Sequence, residues 1–234
     1  MTTSHTAAAS GTGAARSDAA DECTRAGRIT RSLLGYGVIA GPLYVLVSAI
    51  EIATSAGFDP ARHAWSQLAL DDSGWIHTTL LIVTGLMTMA FAVGLRRAYA
   101  GGRGRSSAPL LVGAYGLSLV VAGLFPADPA FGFPVGAPDG PATLSVTGAV
   151  HFAAGAVGFG CLVAACFVIA SRFVVAGRRR WAMVSRTVGA LFGVGFAAMV
   201  SGLPGGIVLF TIAVITVSGW TCAVAVDLYR RTQH

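Results

Sequence analysis

The stretch FDPARHAWSQLALDDSGWIH, residues 58–77, is the one long polar interruption of the chain that gathers several chemically active side chains. It carries two histidines, three aspartates, two tryptophans and a single arginine. Long apolar segments lie on both sides of it. We therefore interpret this stretch as the loop around which a membrane protein is organised.

Composition supports the membrane interpretation. The chain is 54% hydrophobic and only 11% charged, and its mean hydropathy is +0.70, whereas soluble domains average about 25% charged residues. A membrane-spanning helix needs about 20 apolar residues, and six stretches qualify. They cover residues 33–52, 76–95, 108–125, 146–170, 182–203 and 206–226. The sequence thus predicts an all-α polytopic membrane protein, a bundle of six transmembrane helices.

The arginines predict the orientation. All sixteen basic residues are arginine; fifteen flank the predicted helices on one side, and only Arg62 lies on the other. The positive-inside rule then predicts a protein of the plasma (inner) membrane with both termini in the cytoplasm. Because the arginines cluster beside apolar runs, the net charge of +6 indicates membrane topology and not nucleic-acid binding. The expected partner is the lipid bilayer.

The chain ends are predicted to lie outside the membrane domain. Residues 1–32 are rich in Ala, Ser, Thr and Gly and cannot bury a core, which is typical of a disordered tail. Residues 33–228 form the predicted six-helix transmembrane domain, and residues 229–234 form a short C-terminal tail. Both tails are expected on the cytoplasmic side.

A short helix is expected in the first outer loop. Asp59 followed by Pro60 is typical of a helix start, with a capping carboxylate and then proline at the first helical position. Over residues 60–70 this predicts a helix with Trp65, Leu68 and Ala69 on one face. Such a segment would lie at the outer membrane interface.

The outer side also carries the candidate site. His77 and His151 lie near the outer ends of the second and fourth helices, on polar or small stripes that point into a bundle. Glu51 closes the outer end of the first helix, and Asp128 is expected to cap the third. The candidate metal ligands are His77, His151, Asp128, Glu51 and His63, and the candidate catalytic residues are Ser66, Asp128 and His151.

Two interpretations of these residues stay open. Histidine and carboxylate together suit Zn²⁺ or another divalent metal, while His77 and His151 alone could ligate haem iron. In the alternative, favoured interpretation, the same groups are caps and interfacial histidines that hydrogen-bond one another and hold the outer loops. Glu51 is then expected to pair with Arg62.

Short motifs in both outer loops resemble a bacterial membrane family known as domain of unknown function 998. The matching residues are Gly57-Phe58-Asp59-Pro60, Ser66-Gln67-Leu68-Ala69, Gly74-Trp75, Thr84-Gly85-Leu86, Gly123 to Asp128 and Gly148 to His151. The resemblance covers roughly residues 33–228 and implies a six-helix inner-membrane protein with no established activity. It supplies no agreed catalytic residues.

Three functions are compatible with these features. The favoured one is a non-enzymatic membrane or envelope protein. The alternatives are a metal-dependent membrane hydrolase with an outer-face His, Asp and Ser site, in which the metal would activate water, and a haem-binding membrane protein.

Overall fold

The computed structural model describes the backbone of residues 8–99 and 101–232, and the side chains of residues 25–99 and 101–232. Within these ranges there is no β-strand, and six helices are long and apolar enough to cross a membrane. They are α1 (Ala8–Thr54), α2 (Trp75–Ala98), α3 (Ser107–Leu124), α4 (Val146–Val175), α5 (Arg179–Val200) and α6 (Gly206–Arg231). The predicted all-α fold is confirmed, and the chain is a multi-pass membrane protein.

Most helix bounds lie within a few residues of those predicted. The fifth span was expected to reach residue 203, but α5 ends at Val200. Gly202 and Gly205 then adopt φ values of 66° and 75°, a left-handed conformation that glycine adopts without steric cost. At the other end of the chain, α1 begins at Ala8, inside the segment predicted to be disordered. The division into tails and membrane domain stays a prediction.

The six helices form a closed ring. Each packs against its neighbours in the sequence, and α6 packs against α1. Small residues make the close approaches possible. A Cβ atom added at Gly41 of α1 would lie 2.7 Å from the Ser218 carbonyl oxygen of α6, and one added at Gly85 of α2 would lie 2.6 Å from the Gly116 carbonyl oxygen of α3.

The ring has two chemically different ends. The arginine end holds the α2–α3 and α4–α5 connections, the start of the α1 span and the end of α6. Here the Arg178 guanidinium donates two hydrogen bonds, of 2.7 and 2.8 Å, to the Asp227 carboxylate of α6. The Arg172 guanidinium stacks 3.9 Å from the ring centre of Tyr99. These contacts join the start of α5 to α6 and α4 to the end of α2.

The opposite end, called the acidic end below, holds the loops of residues 55–74, 125–145 and 201–205. The bundle is filled near the arginine end by side chains with little or no exposure, among them Leu34, Leu95 and Phe173. Toward the acidic end the ring is hollow, and residues of all six helices line the space it encloses. Outward-facing apolar residues such as Leu46 and Leu110 are more than half exposed, as expected for a surface that faces lipid.

The predicted helix of the first outer loop is present, but it is a six-residue 3₁₀ helix, Trp65–Leu70. The Gln67 side chain accepts a hydrogen bond from the Ala64 amide, which fixes its first turn. Trp65 and Leu68 are 8% and 1% exposed, so the apolar face turns into the mouth of the ring. Inside the mouth of the ring this apolar face is buried more completely than it would be at the outer membrane interface.

Candidate functional site

An internal cavity of about 600 Å³ occupies the hollow part of the ring, within the size range of small-molecule sites. Residues from all six helices and from the loops of the acidic end line it. Its middle is walled by an aromatic cluster in which Phe159 lies 5.3 and 5.4 Å from Phe192 and Phe210, measured between ring centres. The walls are therefore predominantly apolar.

The cavity is elongated along the helix axes. On α6 the lining extends from Ile207 to Val224, which at a rise of 1.5 Å per residue is about 25 Å. The deepest part is lined by apolar residues such as Phe91 and Ile169. The polar and charged lining residues of the acidic end are Arg62, Ser66, Gln67, Asp128, His151 and Ser201. The cavity thus has its charged groups at the mouth and a predominantly apolar interior.

Ser66 and His151 meet at this mouth. The Ser66 Oγ lies 3.2 Å from the His151 Nε2. The His151 Nδ1 lies 2.9 Å from the Phe125 carbonyl oxygen and 3.1 Å from that of Ala122. Carbonyl oxygens only accept hydrogen bonds, so Nδ1 must carry the proton. The neutral ring then has its lone pair on Nε2, and the Ser66 hydroxyl donates to it.

Asp128 lies close by but bonds elsewhere. One carboxylate oxygen accepts from the Ser145 amide at 2.9 Å, and the other accepts from the Ser145 hydroxyl. Ser145 in turn caps α4 by accepting from the Gly148 amide. The prediction that Asp128 caps the third helix is therefore wrong: it supports the start of α4. The hydrogen bonds from Ser145 lower the pKa of Asp128 below its ordinary 3.8.

Glu51 pairs with His77 and not with Arg62, which corrects the expected ion pair. The Glu51 carboxylate lies 2.9 Å from the His77 Nδ1, and both residues are buried. Helix geometry explains the choice, since α1 packs directly against α2 and brings these two side chains together at the acidic end. Because the carboxylate engages Nδ1, Nε2 is the His77 nitrogen left to bind a metal or a ligand.

Several buried polar atoms near this pair lack a partner among the described residues. They are Ser48 Oγ, Trp65 Nε1, His77 Nε2 and Thr84 Oγ1. Trp65 and Thr84 line the cavity, and the ring of Tyr44 lies 5.8 Å from Trp65 and 5.9 Å from His77, between centres. Because buried polar groups are almost always hydrogen-bonded, this side of the cavity is suited to water or the polar part of a ligand.

His63 joins the two long loops. Its Nδ1 accepts from the Asp59 amide at 2.9 Å, and its Nε2 donates to the Phe131 carbonyl oxygen at 3.0 Å. Its ring also packs 5.3 Å from Phe58 and from Phe133, between centres. Both ring nitrogens are thereby engaged, and His63 holds the loops in place.

The predicted site residues are thus divided into separate pairs. Ser66 joins His151, Glu51 joins His77, Asp128 joins Ser145, and His63 joins the loops. In the part of the chain that the structure describes, no three His, Cys, Asp or Glu residues are grouped to hold a metal ion. Both ring nitrogens of His63 and of His151 are already hydrogen-bonded, so His77 Nε2 is the histidine nitrogen there without a partner.

Sequence reasoning missed the backbone acceptors that orient His151. A signal was present, because Pro126 stands four residues after Ala122. Proline has no amide hydrogen, so the Ala122 carbonyl lacks its helical donor and is available to His151. Tyr44 was also missed as part of the cavity wall, since a single tyrosine is unremarkable within an apolar helix, whereas Thr84 belongs to the polar stripe of His77 that was predicted to point into the bundle.

Comparison with known proteins identifies one relation. A family model described as "Protein of unknown function (DUF998)" matches residues 38–227. Searches of curated proteins and of solved structures give no match.

Proposed function

Since this chain belongs to the DUF998 family of proteins of unknown function, as its motifs predicted, we propose a function from its geometry. The protein binds one amphipathic lipid, with the apolar chain inside the ring and the polar group at the acidic end. This gives a specific role to the non-enzymatic membrane or envelope protein predicted from the sequence, because binding requires no reaction.

One observation carries this proposal: the cavity is predominantly apolar, and its charged lining residues, Arg62 and Asp128, lie together with His151 at one end. A hydrocarbon chain placed against Phe159, Phe192 and Phe210 removes apolar surface from water, at about 25 cal/mol per Å². The head group would meet Arg62, Ser66 and the His151 region at the mouth. Arg62 has no ion-pair partner among the described residues.

The proposed orientation places the acidic end outside the cell. The arginine distribution supports this, because positively charged loops stay in the cytoplasm. Both termini are then cytoplasmic, the membrane is the plasma (inner) membrane, and the bound lipid enters from the outer leaflet.

The test uses a glycine in the cavity wall. Gly155 lies on α4 one turn from His151, and a Cβ atom there would meet nothing closer than Phe159 at 3.7 Å. Gly155→Phe should fill the passage from mouth to interior without disturbing the helix packing. Gly160 is the matched control, since it lies on the same helix with no heavy atom within 4 Å of an added Cβ.

Binding is measured with parinaric acid, a fatty acid whose conjugated chain accepts energy from tryptophan. Trp65 and Trp220 line the cavity, so a bound chain should quench their fluorescence saturably. We expect Gly155→Phe to weaken binding at least about tenfold, which is about 1.4 kcal/mol. Gly160→Phe should bind as the wild type does. Equal affinity in both variants would refute the cavity as the binding site.

The metal and haem alternatives stay predictions. A metal would use His77 Nε2 first, since Glu51 already orients that ring as carboxylates do for metal-bound histidines. Haem ligation by both histidines would require His151 to give up its bond from Ser66.

A further inference from the structure

Beyond binding, and with the proposed lipid as its substrate, we propose that Ser66 and His151 form a nucleophile–base pair that hydrolyses an ester bond of the bound lipid. The pair lies where the head group of such a lipid would be, at the polar mouth of an apolar cavity. It requires no metal ion.

The tautomer of His151 has the form that a general base needs. Two backbone carbonyls, of Ala122 and Phe125, hold the Nδ1 proton. The Nε2 lone pair therefore points at the Ser66 hydroxyl, 3.2 Å away. An activated serine requires this relation, in which a base accepts the hydroxyl proton and a third group orients the base.

The third group differs from the one expected. The sequence suggested Asp128 beside Ser66 and His151, but both Asp128 oxygens accept from Ser145. Carbonyl groups of the α3 end orient the imidazole instead. Asp128 acts through Ser145, which caps the start of the helix that carries His151. We assign Asp128 a positioning role.

The cavity also offers a donor for the charge that develops on the substrate. The Trp65 indole N–H is buried, has no partner among the described residues, and belongs to the residue next to Ser66. Arg62 lines the same mouth. A developing oxyanion is stabilised by preorganised donors of this kind.

The reaction balances without an external oxidant or reductant. Ser66 Oγ attacks the ester carbonyl carbon while its proton moves to His151 Nε2. The tetrahedral intermediate collapses, the C–O bond to the alcohol breaks, and Nε2–H protonates the leaving oxygen. Water then attacks the acyl-serine, gives a proton to Nε2, and Ser66 leaves with that proton. The products are a free fatty acid and an alcohol.

A purely structural Ser66–His151 bond is the competing explanation, and covalent labelling separates the two. Purified full-length protein in detergent is treated with a small fluorophosphonate, which reacts with activated serines. We expect one adduct per chain, located on Ser66 by peptide mass spectrometry. Ser66→Ala should abolish it, and Ser73→Ala, in the same loop but exposed and away from the cavity, should not.

His151→Gln is the decisive variant, because glutamine keeps a hydrogen-bonding side chain but cannot act as a base. Loss of general-base assistance should slow labelling by about 10²–10⁴-fold. An unchanged rate in this variant would overturn the proposal. So would unlabelled Ser66 in wild-type protein with a native thermal transition, a result that needs no variant to fold.

Turnover is then measured with p-nitrophenyl esters of increasing chain length. We expect long-chain esters to be hydrolysed faster than acetate, with loss of activity in Ser66→Ala. Parinaric acid binding to the wild-type protein separates the two proposals. Binding by wild-type protein that hydrolyses no ester refutes catalysis alone, whereas labelling of Ser66 in wild-type protein that does not bind parinaric acid refutes the lipid cavity alone.

Discussion

At the residue scale, Asp128 organises the mouth of the cavity without a hydrogen bond to its histidine. Its carboxylate accepts two hydrogen bonds from Ser145 and occupies the space that a side chain at position 148 would need. Gly148 is therefore required for α4 to start beside Asp128. The start of α4 in turn positions His151, one turn further along the helix.

Asp128→Asn should destabilise the protein in a pH-dependent way. The pKa of Asp128 is lowered in the fold, so its carboxylate stabilises the native state above the ordinary pKa of 3.8. This contribution is lost as the pH falls through the lowered pKa. At pH 7 we expect a loss of about 1 kcal/mol, or about 2–4 °C in Tm, with the difference shrinking in acid.

Thermal unfolding in detergent between pH 2.5 and 7 checks this. Asp139→Asn is the matched control, because Asp139 lies exposed in the same loop with no hydrogen bond to its side chain among those described. A constant difference between the Asp128 variant and wild type at every pH would contradict the expected linkage.

The pair of Glu51 and His77 shows the limit of charge-based reasoning at this scale. Arg62 was the obvious partner by charge, but it is exposed at the mouth, while His77 is fully buried beside Glu51. A buried carboxylate is costly unless it is paired. Contact between α1 and α2 therefore decided the pair, and the sequence spacing of 26 residues did not reveal it.

At the element scale, the spans were predictable because a membrane requires about 20 apolar residues per helix. The contacts of each helix were less predictable. Gly37 and Gly41 share one stripe of α1, yet an added Cβ at Gly37 would meet Phe91 of α2, and one at Gly41 would meet α6. One stripe thus serves two neighbours, which is what closes the ring.

Gly41→Val should therefore open the contact between α1 and α6. The nearest atom to an added Cβ is the Ser218 backbone oxygen at 2.7 Å, which cannot move aside as a flexible side chain can. Overpacking of this kind costs about 1–3 kcal/mol, or roughly 2–12 °C in Tm for a chain of this size.

The control is Gly219→Val on α6, where an added Cβ meets no heavy atom within 4 Å. It carries the same β-branched residue in a helix, so it isolates the interhelical clash. Equal Tm values for the two variants would show that α1 and α6 are not in the described contact.

At the scale of the whole molecule, the two ends of the ring perform different tasks. The arginine end is closed by packed side chains and by contacts such as that of Arg178 with Asp227. The acidic end holds the mouth, and its two long loops are joined through His63 and Phe131. This asymmetry is why the proposed orientation matters for function.

Cysteines introduced one at a time test that orientation in intact cells. Ser73 and Gly101 are both exposed, at the acidic and the arginine end respectively. A membrane-impermeant maleimide should label Ser73→Cys from outside and Gly101→Cys only after permeabilisation. The parent protein, with its native cysteines, gives the background. Labelling of Gly101→Cys in intact cells would reverse the topology and move the site to the cytoplasm.

The sequence by itself determined the membrane class, the six spans and the residues that carry polar chemistry at one end. These follow from local quantities, namely the length of apolar runs, the placement of arginines and the positions of histidines relative to helix ends. Each can be evaluated within about 20 residues of chain.

The tertiary structure alone decided which polar groups meet. Ser66 and His151 are 85 residues apart and become partners because the first outer loop folds into a ring that is hollow at its centre. The ring is hollow because each helix packs on its sequence neighbours and α6 packs on α1. That closure depends on glycine approaches on several helices at once, so no single segment of the sequence contains it.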